Sequence, residues 1–139
     1  MIVDIIQNII NYSDLRSQIK CSQIDSNTNN LLYIYSLNTR QTKINQKILE
    51  KKIFSRLKKL VCFQNETIND SHHLKDTLVE LDCSGYYPDD HDCGIDQKGI
   101  CELKYIKKLN CGDVHKINNV NHLKNTLVSL SGQPCTPVC

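Results

Sequence analysis

The apolar positions recur in a spaced pattern, Leu-x-x-Leu-x-Cys, at Leu57-Lys58-Lys59-Leu60-Val61-Cys62 and again at Leu78-Val79-Glu80-Leu81-Asp82-Cys83. A third copy opens with isoleucine, Ile106-Lys107-Lys108-Leu109-Asn110-Cys111, and Leu127-Val128-Ser129-Leu130 begins a fourth. In such a hexapeptide the fourth and sixth positions point to one face of a short strand and the residues between them to the other. Each copy therefore predicts one strand. Leu60, Leu81, Leu109 and Leu130 would form one buried column, and Cys62, Cys83 and Cys111 a second. The outward positions would be Lys59, Val61 and Phe63, then Glu80, Asp82 and Ser84, then Lys108 and Asn110.

The segment from Leu57 to Leu81 overlays Ile106 to Leu130 without a gap. Ile68-Asn69 meets Ile117-Asn118, His73-Leu74-Lys75 meets His122-Leu123-Lys124, and Thr77-Leu78-Val79 meets Thr126-Leu127-Val128. About half of some 25 positions are identical, which marks a duplication. The strand motifs lie about 21 and about 28 residues apart, the period of leucine-rich repeats. One such unit cannot bury its own apolar face, so it must stack on neighbours.

The return half of each unit carries Ile68 and Leu74, Ile95 and Leu103, then Ile117 and Leu123, spaced as in a short helix or 3₁₀ segment. Between Asp82 and Gly99 the chain is longer and rich in turn formers, Ser84-Gly85-Tyr86-Tyr87-Pro88-Asp89-Asp90-His91-Asp92, which reads as an inserted loop. Upstream, Leu32-Tyr33-Ile34-Tyr35-Ser36-Leu37 followed by Lys43-Ile44-Asn45 resembles a degenerate first unit.

The expected fold is an α/β repeat solenoid, a right-handed leucine-rich-repeat-type stack with short parallel strands behind a small helical N-terminal segment. It would occupy residues 31–132, with clear repeats opening at 57, 78, 106 and 127. Residues 1–30 would be helical and 133–139 an irregular tail. No polar cap follows Leu130, so the array reads as unfinished there.

In the N-terminal segment Ile2, Ile5, Ile6, Ile9 and Ile10 recur at helical spacing, and Ser13-Asp14 before Leu15 reads as the cap of a second helix reaching Ile19. One reading is a cap over the open end of the stack. The other is a resemblance: Asp4 to Leu15, Asp-Ile-Ile-Gln-Asn-Ile-Ile-Asn-Tyr-Ser-Asp-Leu, looks like the front of an F-box. That likeness implies docking of Ile5, Ile6, Ile9, Ile10 and Leu15 on a Skp1-type adaptor of a ubiquitin ligase.

The arrangement as a whole is similar to that of the F-box-like and leucine-rich or FNIP-type repeat proteins of giant DNA viruses of amoebae. Leu81-Asp82-Cys83-Ser84 and Asn121-His122-Leu123-Lys124 carry that likeness, within a span from Leu57 to Gly132. It implies a protein-binding scaffold in the cytoplasm of an infected host cell.

Composition changes this picture little. Seventeen Lys and Arg against fifteen Asp and Glu leave a formal charge of +2, which does not supply the basic stripe that nucleic acid requires. No apolar run approaches the roughly 18 residues of a membrane span, and no export signal opens the chain. An intracellular location follows, and there the eight cysteines are expected as free thiols.

Candidate chemistry is sparse. Cys83, His91, Cys93 and Cys101 form the best possible zinc set, but Cys83 is already used by the buried column, so neither metal nor cofactor is expected. His72, His73 and His122 recur with the duplication, as structural residues do. Cys135 and Cys139 lie in the Pro-containing tail. No phosphate loop, His-Glu-x-x-His helix or Gly-x-Ser-x-Gly elbow is present, so an enzyme is not expected. The outward strand positions Lys59, Val61, Phe63, Glu80, Asp82, Lys108 and Asn110 are the candidate surface for a protein partner.

Overall fold

The structure, a computed structural model, describes residues 2–11, 13–22, 32–42, 44–85 and 93–132. Five strands of three residues each, β1 (Ser36–Asn38), β2 (Lys59–Val61), β3 (Glu80–Asp82), β4 (Lys108–Asn110) and β5 (Ser129–Ser131), form one parallel sheet in chain order. The register is uniform, with Leu37, Leu60, Leu81, Leu109 and Leu130 as successive partners. A recurring hydrogen bond sets that register. The carbonyl just ahead of one strand, that of Tyr35, Lys58, Val79 or Lys107, accepts two N–H groups from the start of the next.

The middle residue of each strand points inward. Leu37, Leu60, Leu81 and Leu109 are buried, as are Cys62, Cys83 and Cys111 one step beyond the strands. Both columns thus follow the alternation of the hexapeptide, with one correction. Leu130 is 40 % exposed, because β5 is the last strand of the sheet and no described residue lies beyond it. A second correction concerns Ser84, which is buried rather than outward.

Behind the sheet, each of the first four strands is followed by a return segment that buries Ile44 and Leu49, Ile68 and Leu74, Ile95 and Leu103, or Ile117 and Leu123. Two returns contain one α-helical turn, α3 (Gln46–Leu49) and α4 (Gln97–Ile100), each capped by an Asx side chain that accepts the N–H three residues on. Such caps satisfy donors that a four-residue helix leaves orphaned. The other two are 3₁₀ turns, His72–Leu74 and Asn121–Leu123. The duplicated halves also share their strained turns, since Gln64 and Asp113 hold equivalent places with φ of 53° and 60°.

Neighbouring returns are joined by side-chain amides. Gln46 accepts the Asn69 and Asp70 N–H groups, both at 3.2 Å. Gln97 does the same to Asn118 and Asn119 at 3.1 and 2.9 Å. The joint between the second and third returns differs: the buried Ser71 hydroxyl donates to the Gly99 carbonyl at 2.6 Å.

Ahead of the sheet, α1 (Ile2–Asn11) forms over the spaced isoleucines and α2 (Leu15–Ser22) directly after Ser13-Asp14. Asp14 caps α2 by accepting the Ser17 N–H at 3.1 Å, and the Ser17 hydroxyl holds its carboxyl below the ordinary carboxylate range. Gln7 of α1 pairs with both the N–H and the carbonyl of Tyr33 at 2.9 Å. Leu15 and Ile19 of α2 pack on the core. No helix among the described residues is long and apolar enough to cross a membrane.

Candidate binding face

The uniform register lines up the outward residues in two rows across the sheet. Ser36, Lys59, Glu80, Lys108 and Ser129 form one, and Asn38, Val61, Asp82, Asn110 and Ser131 the other. Over β2 to β5 they frame a shallow concavity of 260 Å³. In the first row Glu80 receives Lys108 at 2.9 Å and Lys59 at 3.2 Å. The two ammonium groups, Lys108 first, hold its carboxyl below the usual range. Opposite charges on adjacent strands attract across the ladder, so the row carries one surplus positive charge.

The second row is tied down by its own turns. Asn38 accepts the Arg40 N–H at 3.0 Å, Asp82 accepts the Ser84 N–H and hydroxyl at 3.1 and 2.6 Å, and Asn110 accepts the Gly112 N–H at 3.3 Å. These are Asx turns, in which a short polar side chain satisfies the backbone two residues on. The Asn110 amide also reaches the Ser84 hydroxyl at 3.4 Å. Asp82 and Asn110 therefore present one edge to solvent while the other is engaged by their own turns, a role that the apolar Val61 cannot take.

Phe63 lies in the turn beyond β2 and not on the strand. There the Arg40 guanidinium covers its ring at 4.1 Å. The pair sits in an open groove of 880 Å³ whose walls include Thr39, Thr42, Asn65 and Thr67. The Thr39 and Thr42 hydroxyls are buried there without a hydrogen-bond partner among the described residues. A planar cation on an aromatic face is a strong recognition element, since both are rigid and the guanidinium still offers donors at its rim.

Among the adaptor candidates, Ile5 and Ile9 lie one turn apart on α1 and are 55 % and 64 % exposed. Ile6 is partly buried. The side chain of Ile10 lies outside the described residues. Leu15 belongs to the core-facing side of α2.

The zinc set is dispersed. Cys83 and Cys93 are buried neighbours, but Cys101 is exposed at the end of α4 with its thiol on the Lys98 carbonyl at 3.1 Å. His91 lies outside the described residues, as do Cys135 and Cys139. The described residues contain no group of three His, Cys, Asp or Glu set to hold a metal. His122 bonds the Ile100 carbonyl at 3.0 Å. The equivalent His73 lies beside the Leu49 carbonyl, and burial pushes its pKa below the ordinary value. His72 meets Glu102 at 3.0 Å on the surface.

Arg40 escapes a search for repeated motifs because the first unit is degenerate. Once Ser36 is set against Lys59, the same register places Arg40 opposite Phe63, and that alignment is the signal that would have found it. No protein-family model, curated protein or solved structure matches the chain.

Proposed function

We propose that this chain is a leucine-rich-repeat-type solenoid whose strand face binds another protein, with the Arg40–Phe63 groove as an anchor at one margin. The uniform register of five equal strands carries the reading, because it lines the outward side chains up in two rows on a backbone that needs no ordering on binding. Lys59, Val61, Phe63, Glu80, Asp82, Lys108 and Asn110 contribute the contact surface. The surplus positive charge of the first row and the Arg40 guanidinium favour a partner with carboxylates at its rim and an apolar residue for Phe63. The test compares proteins captured by the full chain, by Arg40→Glu with Phe63→Ala, and by Lys98→Glu on the opposite side. A partner kept by the last and lost by the first double variant supports the face. Identical capture by all three removes it.

A second reading adds a Skp1-type adaptor of a ubiquitin ligase at α1. It is favoured by the exposed pair Ile5 and Ile9, which α1 leaves free while α2 uses Leu15 and Ile19 against the core. Titration of purified adaptor with the full chain tests it. Binding that Ile5→Asp or Ile9→Asp abolishes is expected, and binding unaffected by both would leave α1 as a cap.

A further inference from the structure

Cys62 and Cys93 are 31 residues apart in sequence, yet their Sγ atoms lie 3.3 Å apart. Both residues are fully buried. Cys62 follows β2, and its N–H is fixed on the Asp82 carbonyl at 2.8 Å. Cys93 is brought to it by the residue that follows. The Gly94 N–H donates to the Asn65 carbonyl at 3.0 Å, and the Asn65 N–H in turn donates to the Cys62 carbonyl at 3.0 Å. Gly94 packs so closely that a Cβ there would meet the Glu66 and Ile68 carbonyls at 2.5 and 2.6 Å. One turn of backbone thus holds both cysteines.

Cys93 has no counterpart in the duplicated pattern, because it enters with the inserted loop. Two of the column cysteines also touch the carbonyl of the next strand, Cys62 that of Asp82 at 3.4 Å and Cys83 that of Asn110 at 3.5 Å. A disulfide requires sulfurs about 2.05 Å apart. Closing the pair shortens the sulfur separation by roughly 1 Å.

We propose that Cys62 and Cys93 are a redox-modifiable pair, which exchanges with a low-molecular-weight disulfide to form an intramolecular disulfide that fastens the end of the inserted loop to the end of β2. Its close contact with Cys62 holds the Cys93 thiol below its ordinary pKa, so Cys93 is the first nucleophile. Its thiolate attacks one sulfur of the small disulfide and expels a thiolate, giving a mixed disulfide. Cys62, after passing its proton to that departing thiolate, attacks the Cys93 sulfur and expels the second. The protein gives up two electrons and two protons, and the small disulfide leaves as two thiols. Both sulfurs are shielded, so exchange proceeds through local opening and is slower than modification of the exposed Cys101.

The test uses the full chain purified under reductant. Accessible thiols are blocked with N-ethylmaleimide in the folded state, oxidised glutathione is added, and the protein is denatured, treated with iodoacetamide and mapped without reduction. The expected result is a Cys62–Cys93 cross-linked peptide about 2 Da lighter than the two thiols, with a raised thermal midpoint. Cys83→Ser should retain the cross-link and Cys93→Ser should lose it. Recovery of both cysteines carrying iodoacetamide or glutathione from folded, oxidant-treated wild type overturns the proposal, as does a dominant Cys83–Cys93 bridge.

Discussion

The side chain of Gln97 clasps the backbone of Asn119 at both ends, its Oε1 accepting the N–H at 2.9 Å and its Nε2 donating to the carbonyl at 2.7 Å. The same Oε1 takes the Asn118 N–H. Gln97→Ala removes all three bonds but leaves the freed groups open to water, so the loss is held to ~1 kcal/mol. The urea midpoint should fall accordingly, and Gln46→Ala, which frees Asn69 and Asp70, should match it. A loss for Gln97→Ala no larger than that of an exposed lysine would show the clasp to be passive.

Leu81 and Leu130 occupy the same register position but not the same environment. Leu81→Ala should cost about 2–5 kcal/mol, because it opens a cavity in a column closed on both sides. Leu130, 40 % exposed, should cost under about 1.5 kcal/mol when changed to alanine. Equal midpoints in denaturant for the two variants would mean that the last strand is covered in solution.

Glu80 gives a pH dependence of defined sign. Its folded pKa lies below the ordinary value of 4.5, through Lys108 and then Lys59, so ionised Glu80 stabilises the fold above that value. The contribution is lost as pH falls through the depressed folded pKa. The carboxylate is partly solvated, so Glu80→Gln should cost only ~0.5 kcal/mol at neutral pH. That difference should shrink in high salt and vanish once acid has protonated the wild-type group. Thermal melts across pH and salt check each part, and a gap that widens in acid would contradict the assignment.

The two N-terminal helices should respond oppositely to charge. Ile9→Lys places an ammonium on an exposed face and should leave stability within about 0.5 kcal/mol of wild type. Leu15→Lys removes an apolar contact with the core and should cost ~1–2 kcal/mol. Melts of the two variants decide it.

The leucine and cysteine columns were legible in the sequence because alternation along three residues needs nothing beyond the strand itself. The return segments were legible through Ile68, Leu74, Ile117 and Leu123 for the same reason. Leu130 was not, because its exposure depends on what lies past it and not on its own motif. Asp82 and Asn110 read as outward polar residues, yet their side chains fold back on their own turns, a local competition that polarity does not reveal. Arg40 and the pairing of Cys93 with Cys62 were missed because each sits where the repeat is broken, one in the degenerate first unit and the other behind the insertion. Sites at such breaks are built by tertiary proximity, which periodicity does not encode.

The glutamine clasps join the first return to the second and the third to the fourth, while Ser71 and Gly99 make the joint between. The two kinds of joint alternate, so neither surface fits a copy of itself. An engineer who lengthens this protein by one unit would set mismatched faces together and leave a glutamine with no backbone to grip. An insertion of two consecutive segments would instead keep each glutamine opposite backbone that it can grip.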